Sequence, residues 1–324
     1  MCLSCDKLLD NCGNHWGIVA KHKERIIMKL EAAVKDYLIE IEIRKYTPRT
    51  IKAYRIRLNL FVNWCKESEY YELDDLSMAA IKQFTQHMIS KGSKGTYVNS
   101  LLKTVKSFIQ YSFDEGYGGF NAKRVQFRWV KEDKPVIRAF TTRDVKLMLD
   151  NCKGIDFSAI RDTAVLTLFF ETGIRCLELC MIQPSDIHDD FIIINGKNHK
   201  QRVVPITPVL KKALMRYERV KESYFTFKHT EPYYFLSVNG KQLTNSAVAQ
   251  MMKRRGSGIK DIRVSPHTCR HFFAQQQIKM GTDLYTISRL LGHENVSITQ
   301  IYLNSLRDND IIKIAKQQSV LMNL

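Results

Sequence analysis

Six side chains in the C-terminal half of the sequence are of the types that a phosphodiester exchange needs: Arg175, Lys197, His267, Arg270, His293 and Tyr302. Opening a DNA phosphodiester poses three demands: a nucleophile, positive charge for the non-bridging oxygens, and a proton for the departing 5′ oxygen. Tyr302 can be the nucleophile. A free phenol with a pKa of about 10 is ionised to only about one part in a thousand at neutral pH, so its surroundings must lower that pKa or remove the proton during attack. Nearby arginines can do the first and a histidine the second. Two guanidiniums forked onto one phosphate neutralise the oxygens that gain charge in the pentacoordinate transition state, each worth on the order of 10²-fold or more in rate. Taken singly, each residue has a plainer use. Tyr302 suits the face of an amphipathic helix, Arg175 a local cap or ion pair, and any one of nine histidines in a basic chain says little.

The contexts are more telling than the residues. In order along the chain stand TGIR followed by Glu178, GKNHKQR, HTCRH, LGH and IY. Together these segments resemble the tyrosine recombinase (phage integrase) family, most sharply over residues 171–302 and more loosely from about residue 30 to the C-terminus. The resemblance implies that Tyr302 attacks the scissile phosphate, that Arg175 and Arg270 clasp it, and that His267 and His293 contact it, His267 also aiding proton transfer. Lys197 matches the lysine of a hairpin loop and would protonate the leaving 5′ oxygen. Glu178, one helical turn beyond Arg175, is placed to hold that arginine in one rotamer. Lys200 and Arg202 read as phosphate contacts or as solvated hairpin charges. His271 directly follows Arg270, is expected to point elsewhere, and is given a structural part only. The chain departs from the family pattern at Asn198, where glycine is usual, and at Cys269, where leucine is common.

The implied activity is site-specific recombination of double-stranded DNA through a 3′-phosphotyrosyl intermediate, needing no cofactor. It serves integration or excision of a mobile element, with a homotetramer on two DNA sites. Two rivals share the residues: a type IB topoisomerase, which relaxes DNA without a partner site, and a DNA-binding regulator with a silent recombinase fold. Paired carboxylates at metal-binding spacing come nearest at Asp186, Asp189 and Asp190, in a turn before a strand, so the cofactor-free chemistry is preferred. No serine stands in a comparable cluster.

Composition agrees with a nucleic-acid partner. Fifty Lys and Arg against 33 Asp and Glu give a net charge of +17 over 324 residues, which points to a polyanion. No apolar run long enough to span a bilayer and no secretory signal are seen, so the expected setting is the cytoplasm with reduced thiols. Cys2, Cys5, Cys12 and His15 have a spacing that can wrap one zinc ion, the alternative being a reduced tail. Cys65, Cys152, Cys176, Cys180 and Cys269 lie in apolar helical patterns and read as small buried hydrophobes.

The elements that must position this set are mostly helices. Thr47 as N-cap and Pro48 as first residue open a helix whose stripe is Ile51, Tyr54, Leu58 and Phe61, leaving Arg49 and Lys52 off that stripe as DNA contacts. Ser77 opens a second helix carrying Ile81, Phe84 and Met88, and a third follows Gly95 with Val98, Leu101, Leu102, Val105, Phe108 and Ile109. FIIING and RVVPIT predict a β-hairpin whose loop carries Lys197 and Lys200. The expected fold is mainly α with a small β-sheet: an N-terminal helical core-binding (SAM-like) domain and an α+β catalytic domain. The expected division is a Cys-containing tail over 1–27, a core-binding domain over 28–128, a linker over 129–137, and a catalytic domain over 138–324. A C-terminal tail helix, with Ile311, Ile314 and Ala315 on one face, would dock on a neighbouring protomer or on its own domain.

Overall fold

The computed structural model describes residues 28–132, 138–196 and 200–303. The N-terminal Cys and His cluster, Lys197 with Asn198, and the C-terminal tail helix therefore lie outside the described residues. The chain divides into two compact units, one ending at Lys134 and the other beginning at Pro135.

The first unit packs four helices: α1 (Leu30–Ile43), α2 (Pro48–Glu67), α3 (Met78–Ser90) and α4 (Gly95–Asp114). α2 starts where its sequence says it should. The Thr47 side chain accepts from the Thr50 N–H, satisfying a donor that the first turn leaves unpaired, while Pro48 supplies a pre-set φ. Ser77 does the same for α3 through the Ala80 N–H. The stripes meet in one core: Leu58 and Phe61 of α2, Ile81 and Phe84 of α3, and Val98, Leu101, Val105 and Phe108 of α4 are all buried. Each such large apolar side chain contributes about 1.5–3 kcal/mol by leaving water. Arg49, Lys52 and Arg55 stay exposed on α2, whereas Arg57 turns inward to donate to Thr104 Oγ1. The basic and aromatic stretch after α4 is fastened to this unit. Phe127 is buried in its core, and Asn99 of α4 both donates to the Val130 carbonyl and accepts from the Val130 N–H.

The second unit carries α5 (Thr142–Asp150), α6 (Phe157–Thr172), α7 (Cys176–Met181), β1 (Phe191–Asn195), β2 (Gln201–Pro205), α8 (Pro208–Phe225), α9 (Asn245–Arg255), α10 (Pro266–Lys279), α11 (Leu284–Leu291) and a last short turn of helix, α12 (Ser297–Gln300). α6 is the hub. It is apolar on every side, as a helix must be when neighbours cover it all round, and it packs on α8 and α10. Its charged pair Arg161 and Asp162 is buried and satisfied: Arg161 Nη2 meets Asp162 Oδ1 at 2.7 Å and Arg255 Nε meets Oδ2 at 3.0 Å. β1 and β2 form the expected antiparallel hairpin, Phe191 opposite Pro205 and Asn195 opposite Gln201. Ile192, Ile194 and Val204 turn into the core. The architecture is mainly α with a small two-stranded sheet, as the patterning predicts. Among the described residues no helix is long and apolar enough to cross a membrane.

Candidate active site

Two glycines in left-handed geometry set the frame. α6 ends at Gly173, with φ 61°, and a Cβ there would stand 2.6 Å from Phe273 Cδ1 and 2.8 Å from Leu291 Cδ2. This sharp exit makes Arg175 the N-cap of α7. α11 ends at Gly292, with φ 65°, where a Cβ would press on the Arg202 side chain at 3.0 Å. Both positions demand a residue without a Cβ.

The carboxyl end of α11 then holds three arginines on three consecutive carbonyls. Arg202 Nε donates to Leu290 O at 2.8 Å, Arg270 Nη2 to Leu291 O at 2.7 Å, and Arg175 Nη2 to Gly292 O at 3.1 Å. The last carbonyls of a helix lack intrahelical partners and carry its negative pole, so guanidiniums are their natural complement. Arg270 Nη1 adds a bond to Gly173 O at 2.9 Å, joining both glycine turns through one buried side chain. Arg270 is 3% exposed, and burial together with Arg175 lowers its pKa to about 10, so it stays a cation at neutral pH.

Glu178 balances the charge. It accepts from the Arg175 N–H at 2.7 Å and from Arg175 Nη1 at 2.8 Å, and it takes Arg202 in a fork at 2.9 and 2.7 Å. Burial alone would push its carboxyl up; Arg202 and then Arg175 overcome this and hold it at about 2. The bracing of Arg175 matches the expectation. Three donors of Arg202 are spent inside the protein, where it buttresses Glu178 and α11. Lys200 pairs with Glu294 at 2.9 Å, both well exposed, tying the hairpin loop to the segment after Gly292.

The histidines and the tyrosine follow from α10, α11 and α12. Ser265 caps α10 through the Thr268 N–H, and His267, Arg270 and His271 leave one side of it. His267 is held below its ordinary pKa by burial of its ring and by Arg270, Arg263 and Arg175. His293 Nδ1 lies 2.8 Å from Thr299 Oγ1, and burial with the three arginines pushes its pKa down to about 4. Tyr302 is only 2% exposed, packed with Phe273, Ala274, Ile278, Ile287 and Leu291. Burial raises its pKa while Arg270 and Arg175 pull the other way.

The expectation that His271 points elsewhere is corrected. Its Nδ1 lies 3.0 Å from the Tyr302 hydroxyl, and its ring sits edge-on to His267 with centroids 4.2 Å apart. Residues i+3 and i+4 from His267 share a helical face. That spacing was the available signal; adjacency to Arg270 misled, because neighbours on a helix can straddle one direction. Asp186 is used locally, accepting from the Gln183 N–H at 2.8 Å, and among the described residues no cluster of three or more His, Cys, Asp or Glu can hold a metal. Cys65, Cys152, Cys180 and Cys269 are buried and Cys176 partly so, each with a free thiol.

Known proteins resemble this chain in sequence and in fold. Residues 138–308, more than half of the chain, match the phage integrase family, and residues 34–118 match the phage integrase N-terminal SAM-like domain. Tyrosine recombinase XerC of Thermodesulfovibrio yellowstonii is 30% identical over 276 residues, covering 83% of this chain and 90% of that protein. Tyrosine recombinase XerD of Staphylococcus aureus is 28% identical over 278 residues, covering 84% and 94%. The fold is that of the Tn1549 transposon integrase solved with transposon right end DNA, at TM-score 0.70 and 16% identity over 90% of this chain and 100% of that one. A lambda integrase tetramer bound to a Holliday junction superposes at TM-score 0.64 and 17% identity over 88% and 78%. With the family matched across the whole arginine, histidine and tyrosine cluster, and its N-terminal domain matched ahead of it, the chain belongs to the phage integrase family, the tyrosine recombinases, enzymes of site-specific recombination that break and rejoin DNA.

Proposed function

We propose that this recombinase exchanges strands between two duplex DNA sites through a 3′-phosphotyrosyl intermediate, with Tyr302 as nucleophile. The observation that carries the reading is the burial of Tyr302 in one cluster with Leu291, at the same α11 end whose carbonyls hold Arg270 and Arg175. In the first step the Tyr302 oxygen bonds to phosphorus, its proton leaves, and the bond to the 5′ oxygen breaks. Arg175 and Arg270 neutralise the non-bridging oxygens, His267 and His293 contact the phosphate, and Lys197 protonates the 5′ oxygen. In the second step the 5′-hydroxyl of the partner duplex attacks the phosphotyrosine and Tyr302 leaves. One phosphate ester is exchanged for another each time, so no nucleotide is consumed.

Exposed Arg49 and Lys52 on α2, and Lys200 on the hairpin, suit the DNA backbone. The assembly is a homotetramer on two sites, and the task is integration or excision of a mobile element, carried out in the cytoplasm; the likeness to a transposon integrase and to a recombinase tetramer on a junction supports both. The division into a core-binding domain over 28–128 and a catalytic domain from 138 is part of the same proposal.

Tyr302→Phe tests the central claim. The variant is expected to bind its DNA site as the wild type does and to form no covalent adduct with a nicked suicide substrate on denaturing gels. An adduct in the Phe variant means that another residue attacks. A two-site recombination assay separates the reading from strand relaxation and from a silent regulator, since only a recombinase yields exchanged products.

A further inference from the structure

We propose that His271 is a catalytic residue that takes the proton from Tyr302 as it attacks phosphorus and returns it when Tyr302 leaves, a role that rests on Tyr302 being the nucleophile. Its Nδ1 lies 3.0 Å from the phenolic oxygen, within reach for direct proton transfer. The transfer matters because the phenol sits in an apolar nest of Phe273, Ile278, Ile287 and Leu291 and is 2% exposed, so bulk water is poorly placed to take the proton. Arg270, whose charge acts on the phenol, has no lone pair to accept with. His293 directs its own Nδ1 at Thr299.

The setting of His271 also explains when it becomes a base. The groups whose charge it feels on its own helix are His267 and Arg270, and Tyr302 meets it from the turn after α12. Arg175 at the start of α7 and Arg263 ahead of α10 act on His267 beside it. Burial first, and then His267 and Arg270, push the His271 pKa down to about 4, so the imidazole is neutral and its lone pair open throughout the neutral range. A scissile phosphate seated between Arg175 and Arg270 adds negative charge beyond that of Glu178, which is already shared between Arg175 and Arg202. It offsets the repulsion that keeps His271 neutral, and the imidazolium formed during attack is stabilised by the same substrate that Tyr302 attacks. The proton balance is closed: one proton passes from Tyr302 to His271 while one passes to the 5′ oxygen, and both return on rejoining. The role requires the tautomer with its proton on Nε2.

The experiment compares wild type, His271→Gln and Tyr302→Phe in single-turnover cleavage of a nicked suicide substrate across the neutral and alkaline range. Gln can still hydrogen-bond the phenol and cannot take its proton. The expected result for His271→Gln is DNA affinity and melting temperature like wild type and cleavage slowed by about 10²-fold or more at neutral pH. The residual rate should climb roughly tenfold per pH unit, because the phenol must then ionise into solvent, while the wild-type rate stays flat. Wild-type cleavage with an unchanged profile, or faster cleavage that marks the contact as a resting latch, overturns the proposal. Tyr302→Phe keeps the two claims apart, since an adduct there removes the nucleophile assignment whatever His271 does. Should His271→Gln fail to fold, histidine ¹⁵N resonances of the wild type and of Tyr302→Phe decide the matter. An unprotonated Nδ1 whose resonance moves when the phenol is removed is expected; a protonated Nδ1 in both overturns the role.

Discussion

Replacing Glu178 by Gln removes the charge that three elements share. Glu178 joins the α7 N-terminus, through Arg175, to β2, through Arg202, and Arg202 in turn holds the last carbonyls of α11. The carboxyl sits at about 2 in place of its ordinary 4.5 and is 7% exposed, so solvent screens little of the interaction. A gap of about two and a half pH units at about 1.4 kcal/mol per unit comes to about 3 kcal/mol. That is the lower end, because the amide nitrogen of Gln faces an arginine N–H and leaves it unpaired. For a unit of this size, about 2–4 °C is lost per kcal/mol, so thermal unfolding of the full chain at neutral pH should fall by about 6–12 °C. The pH dependence has a definite sign. The folded pKa is depressed, so the stabilisation is complete above about pH 4.5 and disappears as the pH falls through 4.5 toward 2. The difference between wild type and Glu178→Gln should therefore shrink over that window. An unchanged melting temperature at neutral pH, or a difference that persists undiminished in acid, refutes the reasoning.

Gly173→Ala should destabilise the protein by about 2–5 kcal/mol, from a strained left-handed residue and from the collision with Phe273 and Leu291, as measured by chemical denaturation. Lys197→Ala should slow cleavage of ordinary DNA strongly yet cut a 5′-bridging phosphorothiolate at close to the wild-type rate, because a departing thiolate needs no proton; equal defects on both substrates remove it as general acid. His271 and His293 both lie at about 4 in the folded protein, below the ordinary 6.5, so the unfolded chain binds protons first. Without DNA, stability should be complete above pH 6.5 and fall as the pH drops toward 4, by up to about 1.4 kcal/mol per pH unit for each imidazole. Denaturation midpoints measured over that range check the slope, which should lessen when either histidine is replaced by Asn.

The sequence by itself determined the local chemistry. Thr47 and Ser77 begin helices because a side-chain oxygen can cap only the turn that follows it, and the buried stripes follow from a period fixed by backbone geometry. The β-hairpin was legible as two short β-branched runs, one over 192–194 and one at Val203 and Val204, with a polar loop between them. Arg175 with Glu178 was readable because the two stand three residues apart on one turn. Tertiary structure decided what no local spacing can express. Arg175, Arg202 and Arg270 come from three separate elements, and only the end of α11, turned by Gly292, supplies the three consecutive carbonyls that gather them. Arg202 looked like any hairpin charge until Glu178, 24 positions away in sequence, claimed it. His271 became a partner of Tyr302 only when the turn after α12 brought the phenol back across 31 residues onto α10. Capping and amphipathic spacing act over a few residues and are written in sequence order, whereas the sharing of one carboxylate and one helix end among distant cations is an electrostatic outcome of the folded packing.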